Sequence, residues 1–168
     1  MPLIAALYVK MNELTEEQFY KDLQNEDELG AVIRGHLHIE HALNELLKKQ
    51  IPFFDRLETL KLDYEVKVVL AVAMGLNSDY EKPLKGIALL RNKYAHRPGF
   101  IMSKSDTSNL YESFAPADRE IIQGAYFRTN KQLAKEKKQF KALEPIDQFI
   151  LLAVTTRQIV IQAQSKWL

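Results

Sequence analysis

The chain has no cysteine, few glycines or prolines (six of each in 168 residues), no surplus of one charge and no long hydrophobic run. Each absence excludes something. Without cysteine there is no disulfide framework, no thiolate nucleophile and no Cys-based zinc or iron–sulfur site, and the composition fits a reducing compartment. No stretch approaches the ~18–20 uninterrupted apolar residues of a membrane span. The opening MPLIAALYVK has an apolar run at residues 2–9, with no basic segment before it and no cleavage-type sequence after it, which predicts no signal peptide. The expectation is therefore a soluble, cytoplasmic chain with no membrane contact. A formal net charge of +1 rules out the broad basic field of a nucleic-acid coat protein, so any nucleic-acid contact has to be local. A glycine-rich phosphate loop is also missing.

What is present is an apolar pattern. With 46% apolar and 27% charged residues the chain can bury a core and stay in solution. Apolar side chains recur at three- and four-residue spacing almost throughout, alternating β-type runs are scarce, and glycine and proline sit mostly at joints. The fold class expected is all-α, a helical bundle of four to six helices in one domain over 1–168, with the core bundle at about 15–98 and C-terminal helices at about 116–166. A first helix opens at Thr15, where Thr15 and Gln18 have capping-box spacing, and runs through Phe19 and Leu23. A long second helix covers roughly 27–49 with a stripe of Leu29, Val32, Ile33, Leu37, Leu43 and Leu47, ended by Pro52.

A connector with Phe53, Phe54 and Leu57 leads to a helix around 63–76, apolar nearly all round in its second half and so expected to be buried. Gly75 and Asn77-Ser78-Asp79 mark a turn. A helix at about 80–97 tolerates Pro83 near its first turn and is stopped by Pro98-Gly99. Residues 100–115 read as a loop with a short helical piece, 116 to about 141 as a helix with a break, and Pro145 to about Lys166 as the last helix.

Charge is uneven along the chain. Residues 13–28 hold seven acidic side chains against one lysine, and 128–141 hold six Lys/Arg against one glutamate. The basic stretch is first a solvated helix face held down by Leu133 and Phe140. Lys131, Lys135 and Lys138 share one face of it and would suit a phosphate backbone.

All four histidines lie in two places, three in RGHLHIEH (34–41) and one at His96. The His-Glu-x-x-His order of a metalloprotease is absent, and the inverted order fails because position 37 is leucine. The pairs His36/Glu40 and His38/His41 supply only two ligands each, so no metal and no cofactor is expected, and these histidines read as surface or subunit-interface residues. Glu40 falls beside Ile33, Leu37, Leu43 and Leu47, where a carboxylate needs either water or a cation. Arg91, in register with Ile87 and Tyr94, is the candidate, giving a structural clamp of Glu40 and Arg91 between two core helices.

The stretch LLRNKYAHRPG (89–99) closes its helix with a second arrangement. Arg91 and His96 are about 140° apart on an ideal helix, whereas Asn92 and His96 share a face. Arg91 can then point inward while Asn92 and His96 line a more open surface. The negative end of the helix dipole attracts a cationic imidazole, and histidine suits proton transfer at ordinary pH. Imidazole and guanidinium together are equipment for 2′-hydroxyl transesterification of RNA: one moves the proton, the other stabilises charge on phosphorus. Two such histidines would meet across a symmetric dimer.

Arg91-Asn92-Lys93-Tyr94-Ala95-His96 resembles the Arg, often followed by Asn, then His after a short spacer, that marks the HEPN superfamily of small helical dimeric domains. The order IEHALNELL (39–47), LDYEVKVVLAVAMGL (62–76), YEKPLKGIALLRNKYAH (80–96) is similar to the layout of the mannitol operon repressor family. The resemblance spans roughly residues 29–98. The first implies a four- or five-helix bundle, a two-fold homodimer with facing motifs and, in active members, metal-independent RNA cleavage, with Arg91 and His96 as the catalytic pair supported by Asn92. The second implies a non-catalytic helical regulatory module working through a protein partner; no DNA-recognition helix stands out here. Two functions are expected on this basis: a dimeric interaction or regulatory module in which Arg91 and Glu40 brace the core and His96 caps or packs, or a toxin-like endoribonuclease.

Overall fold

A computed structural model describes residues 14–133 and 139–166, and for 125–133 the backbone course alone. Its α-helices are α1 (Glu16–Gln24), α2 (Glu28–Gln50), α3 (Phe54–Glu58), α4 (Tyr64–Ala73), α5 (Glu81–His96), α6 (Lys104–Glu112), α7 (Pro116–Leu133) and α8 (Pro145–Lys166). Short 3-10 turns at Ser78–Tyr80 and Phe140–Ala142 precede α5 and α8. Among the described residues there is no strand, and the chain is an all-α helical bundle. No described helix is long and apolar enough to cross a membrane.

The helix starts follow from short polar side chains. Thr15 and Gln18 close the reciprocal capping box at α1, and Ser103 and Asp106 close another at α6. Asp27 and Asp63 accept from the backbone N–H groups of Gly30 and Val66 and so open α2 and α4. The end of α4 is a Schellman motif: Leu76 N–H donates to Ala71 O at 2.9 Å and Gly75 N–H to Val72 O at 3.0 Å. Gly75, at φ 117°, holds the conformation that L side chains avoid. The piece expected within 100–115 is α6. The helix expected to reach about 141 is α7 as far as Leu133; residues 134–138 lie outside the described residues.

Helices α2 and α8 form the centre and pack along each other most extensively. Phe149 and Ala153 of α8 lie over Gly35, so close that a Cβ there would meet the Phe149 ring at 3.4 Å. Helix α1 covers one side of this pair, α4 and α5 cover the free side of α2, and α6 bridges α5 and α8. Phe140 is buried beneath Tyr111, ring centroids 4.6 Å apart, and its carbonyl accepts from Gln148, which in turn accepts from Thr107.

Two expectations are corrected here. The buried side of α2 is wider than one stripe, because the helix is packed from two directions: it takes in Gly35, His36, His38, Ile39 and His41, while Leu29 and Leu37 are about half exposed (49% and 52%). The three histidines are therefore core residues of the chain. Helix α4, expected to be buried in its second half, packs among the described residues mainly against α2 and α5. It buries Tyr64, Val68 and Ala71 and leaves Val66, Val69 and Ala73 exposed, with Met74 exposed just past its end.

Candidate functional site

The candidate site is the last turn and a half of α5. Leu84, Ile87, Ala88 and Leu90 bury one side of this helix and set its rotation about its axis. Beyond them, the end of α5 is tied to the bundle at two points. The Tyr94 hydroxyl donates to Glu28 at the start of α2, and Met102 N–H donates to the same carboxylate at 2.7 Å. Burial, with Glu28 adding to it, raises the Tyr94 hydroxyl above its usual range and keeps it a donor. Lys93 pairs with Asp106 of α6, and the Phe100 ring packs edge-on against Tyr94, centroids 4.8 Å apart.

These ties hold one face of α5 and leave another uncovered. Leu89 (59% exposed) and His96 lie on the open face, with Asn92 half-buried between them. Arg91 is half-buried, and its Nη1 donates to Asn92 Oδ1 at 2.9 Å. Among the described residues no carboxylate pairs with Arg91, and His96 makes no hydrogen bond or ion pair.

The clamp expected between Glu40 and Arg91 is replaced by another. Glu40 Oε1 accepts from Lys67 Nζ of α4 at 2.7 Å, with the two side chains 25% and 14% exposed. Glu40 Oε2 lies 4.0 Å from His36 Nδ1. The physical reason is reach: α4 brings a flexible ammonium to the edge of α2, where Glu40 sits, while Arg91 turns to Asn92. His36 packs against the Tyr64 ring at a tilt of 41°, ring centroids 4.4 Å apart, and Tyr64 fixes α4 to α5 by donating to Leu84 O at 3.0 Å. Burial pushes the His36 imidazole down to about 4; Glu40 opposes this, and the cations of Arg91 and Lys67 add to it.

Lys67→Ala should leave Glu40 without its cation in a partly buried position and cost about 1–3 kcal/mol, below the figure for a fully buried pair because water still reaches the carboxylate. Arg91→Ala should cost under about 1 kcal/mol. Thermal melts of the two variants side by side check this; a larger loss from Arg91→Ala would restore the original pairing.

Among the described residues no three His, Asp or Glu side chains converge as metal ligands. Lys135 and Lys138 lie outside the described residues, as does the side chain of Lys131 within α7. Sequence reasoning missed Lys67, Glu28 and Asp106 as partners; all three reach their contacts from other helices, 13 to 66 residues away. It also missed Arg157 of α8, buried with its guanidinium 4.9 Å from the Phe19 ring and donating to Leu14 O at 3.1 Å. Comparison with protein-family models, curated proteins and solved structures finds no match.

Proposed function

We propose that the chain is a HEPN-type, metal-independent endoribonuclease that works as a cytoplasmic homodimer, with Arg91, Asn92 and His96 from facing α5 ends forming the active centre. The observation that carries this reading is that neither Arg91 nor His96 has the structural work otherwise expected of it. Glu40 is held by Lys67, and His96 stands exposed at the helix end. A guanidinium with no carboxylate partner keeps its charge for a phosphate. Asn92 holds that guanidinium from the neighbouring position, and rigid ties through Tyr94 and Lys93 fix the helix that presents it.

In the reaction, an RNA 2′-hydroxyl attacks the adjacent phosphorus as an imidazole takes its proton. The P–O5′ bond breaks, the leaving oxygen is protonated, and the products are a 2′,3′-cyclic phosphate and a 5′-hydroxyl. Arg91 stabilises the charge that grows on the non-bridging oxygens. One chain offers one reachable imidazole, and a two-fold dimer offers a second for the opposite proton transfer. Leu89 on the same open face supplies apolar contact for such a pairing.

Single-stranded RNA incubated with the purified chain in the presence of a chelator tests this. Cleavage supports the reading, and intact RNA removes it. A second reading, a non-catalytic regulatory module of the mannitol operon repressor kind, is favoured by the apolar side of α4. Val66, Val69 and Ala73 are exposed there on one helix, with Met74 just past its end, which suits a protein partner.

A further inference from the structure

Helix α1 lies on two groups able to carry positive charge, His38 of α2 and Arg157 of α8. The helix buries Phe19 and Leu23 and exposes Glu16, Glu17, Gln18, Lys21 and Gln24. The Phe19 ring meets the His38 imidazole, ring centroids 4.7 Å apart and tilted by 42°, and the Arg157 guanidinium lies 4.9 Å from the same ring. Arg157 also donates to Leu14 O, just ahead of the α1 cap, at 3.1 Å. His38 and Arg157 are 6% and 3% exposed, so both belong to the floor that α1 covers.

A neutral imidazole suits this floor and a cationic one does not. An imidazolium carries a hydrogen on both nitrogens. His38 Nδ1 is enclosed and has no hydrogen-bond partner among the described residues, so a cation there would combine a buried charge with a stranded donor. The surroundings add to this cost. Arg157 of α8 and Arg34 of α2 are cations facing His38, and His41 opposes a second positive charge. Asp22 of α1 favours the cation, and Glu16 of the same helix acts on Arg157; among the described residues neither carboxylate forms an ion pair with His38. His36 differs, because Glu40 lies 4.0 Å from its Nδ1 and offers a proton there a counter-charge.

We propose that α1 is an acid-released helix: protonation of His38 frees Glu16–Gln24 from α2 and α8 while the remaining bundle stays folded. Release takes Phe19 off the imidazole and lets water reach both of its nitrogens. It costs less than global unfolding, since α1 gives up two buried side chains, keeps its own capping box and joins α2 through the short turn 25–27. With α1 docked, burial holds the imidazole down at about 4; with α1 released it titrates near ~6.5. Because the docked value is the lower one, docking is insensitive to pH above about 6.5 and weakens as pH falls toward about 4. Between pH 7 and pH 5 the ratio of released to docked helix should rise about twentyfold.

Hydrogen–deuterium exchange of the intact chain tests this, read by mass spectrometry on peptides from α1 and α8 at pH 7, 6 and 5 and corrected for the pH dependence of free-amide exchange. Expected are α1 amides less protected than those of α8 at each pH, with α1 protection falling about twentyfold from pH 7 to pH 5. His36→Gln should leave that fall in place and His38→Gln should remove it; His38→Leu makes the same test if the glutamine variant does not fold. Unchanged α1 protection between pH 7 and pH 5 would overturn the proposal. One common protection factor for α1 and α8 would overturn it too, since α1 would then leave only with the whole bundle, and so would an undiminished fall in the His38 variants.

Discussion

His96→Ala is expected to lower the rate of RNA cleavage by about 10²–10⁴, the range typical of a lost proton-transfer group, without a change in thermal stability. The stability half of this result follows from exposure: His96 stands in solvent and holds no partner among the described residues. Arg91→Ala should lower cleavage by about 10²–10³ through loss of charge stabilisation on the phosphate, and Arg91→Lys should recover only part of it, because a point charge replaces a planar fork. Asn92→Ala should act more weakly, since Asn92 accepts from Arg91 Nη1 and on the proposed reading acts on a phosphate only through it. Single-turnover cleavage rates and melting curves on the same preparations check all four statements. Full activity of His96→Ala would end the ribonuclease reading and leave the module with the exposed α4 face.

Acid should destabilise the bundle through its buried histidines well before the carboxylates dominate. Burial pushes the imidazoles of His36 and His38 down to about 4 each, with the Arg157 and Arg34 cations adding to the effect at His38 and Asp22 opposing it. In the unfolded chain both titrate near ~6.5. Above that pH both states hold neutral imidazoles, and stability does not depend on them. As pH falls from about 6.5 to about 4 the unfolded chain takes up protons that the folded chain refuses, so stability drops. Below about 4 the folded chain is protonated too, and this contribution stops growing. The loss amounts to about 3 kcal/mol for each histidine once fully developed. Urea unfolding at pH 7, 6 and 5 should show the decline, and a His36→Gln/His38→Gln variant should flatten it. An unchanged slope in that variant would mean the imidazoles are hydrated in the folded state.

The parts of this molecule that were legible in its sequence are those fixed by neighbours along the chain. Thr15 and Gln18 start α1, Gly75 ends α4, and Pro98-Gly99 follow the end of α5, because each acts on backbone groups within a few residues of itself. The rotation of α5 was legible for the same reason, since Leu84, Ile87 and Leu90 repeat at helical spacing. Identity of partners was not. Glu40 needed a cation, which local chemistry could state; that Lys67 supplies it depends on where α4 crosses α2. Tyr94 and Glu28 meet across 66 positions. The histidines of α2 read from the sequence as surface or subunit-interface residues, yet a helix packed from both sides buries them, His38 against Phe19 and His36 against Tyr64. Helix α4 misled in the opposite direction, since an apolar sequence states what a face prefers and not whether another element covers it.

The chemistry of the cut ends gives the most direct test. If an imidazole from α5 drives attack by the 2′-hydroxyl, mass spectrometry of the fragments made in a chelator will find 2′,3′-cyclic phosphate and 5′-hydroxyl termini. A substrate with a single 2′-deoxy residue at the cleaved position will stay whole. Fragments ending in 3′-hydroxyl and 5′-phosphate, or cleavage of the deoxy-substituted strand, would contradict the role given to Arg91 and His96.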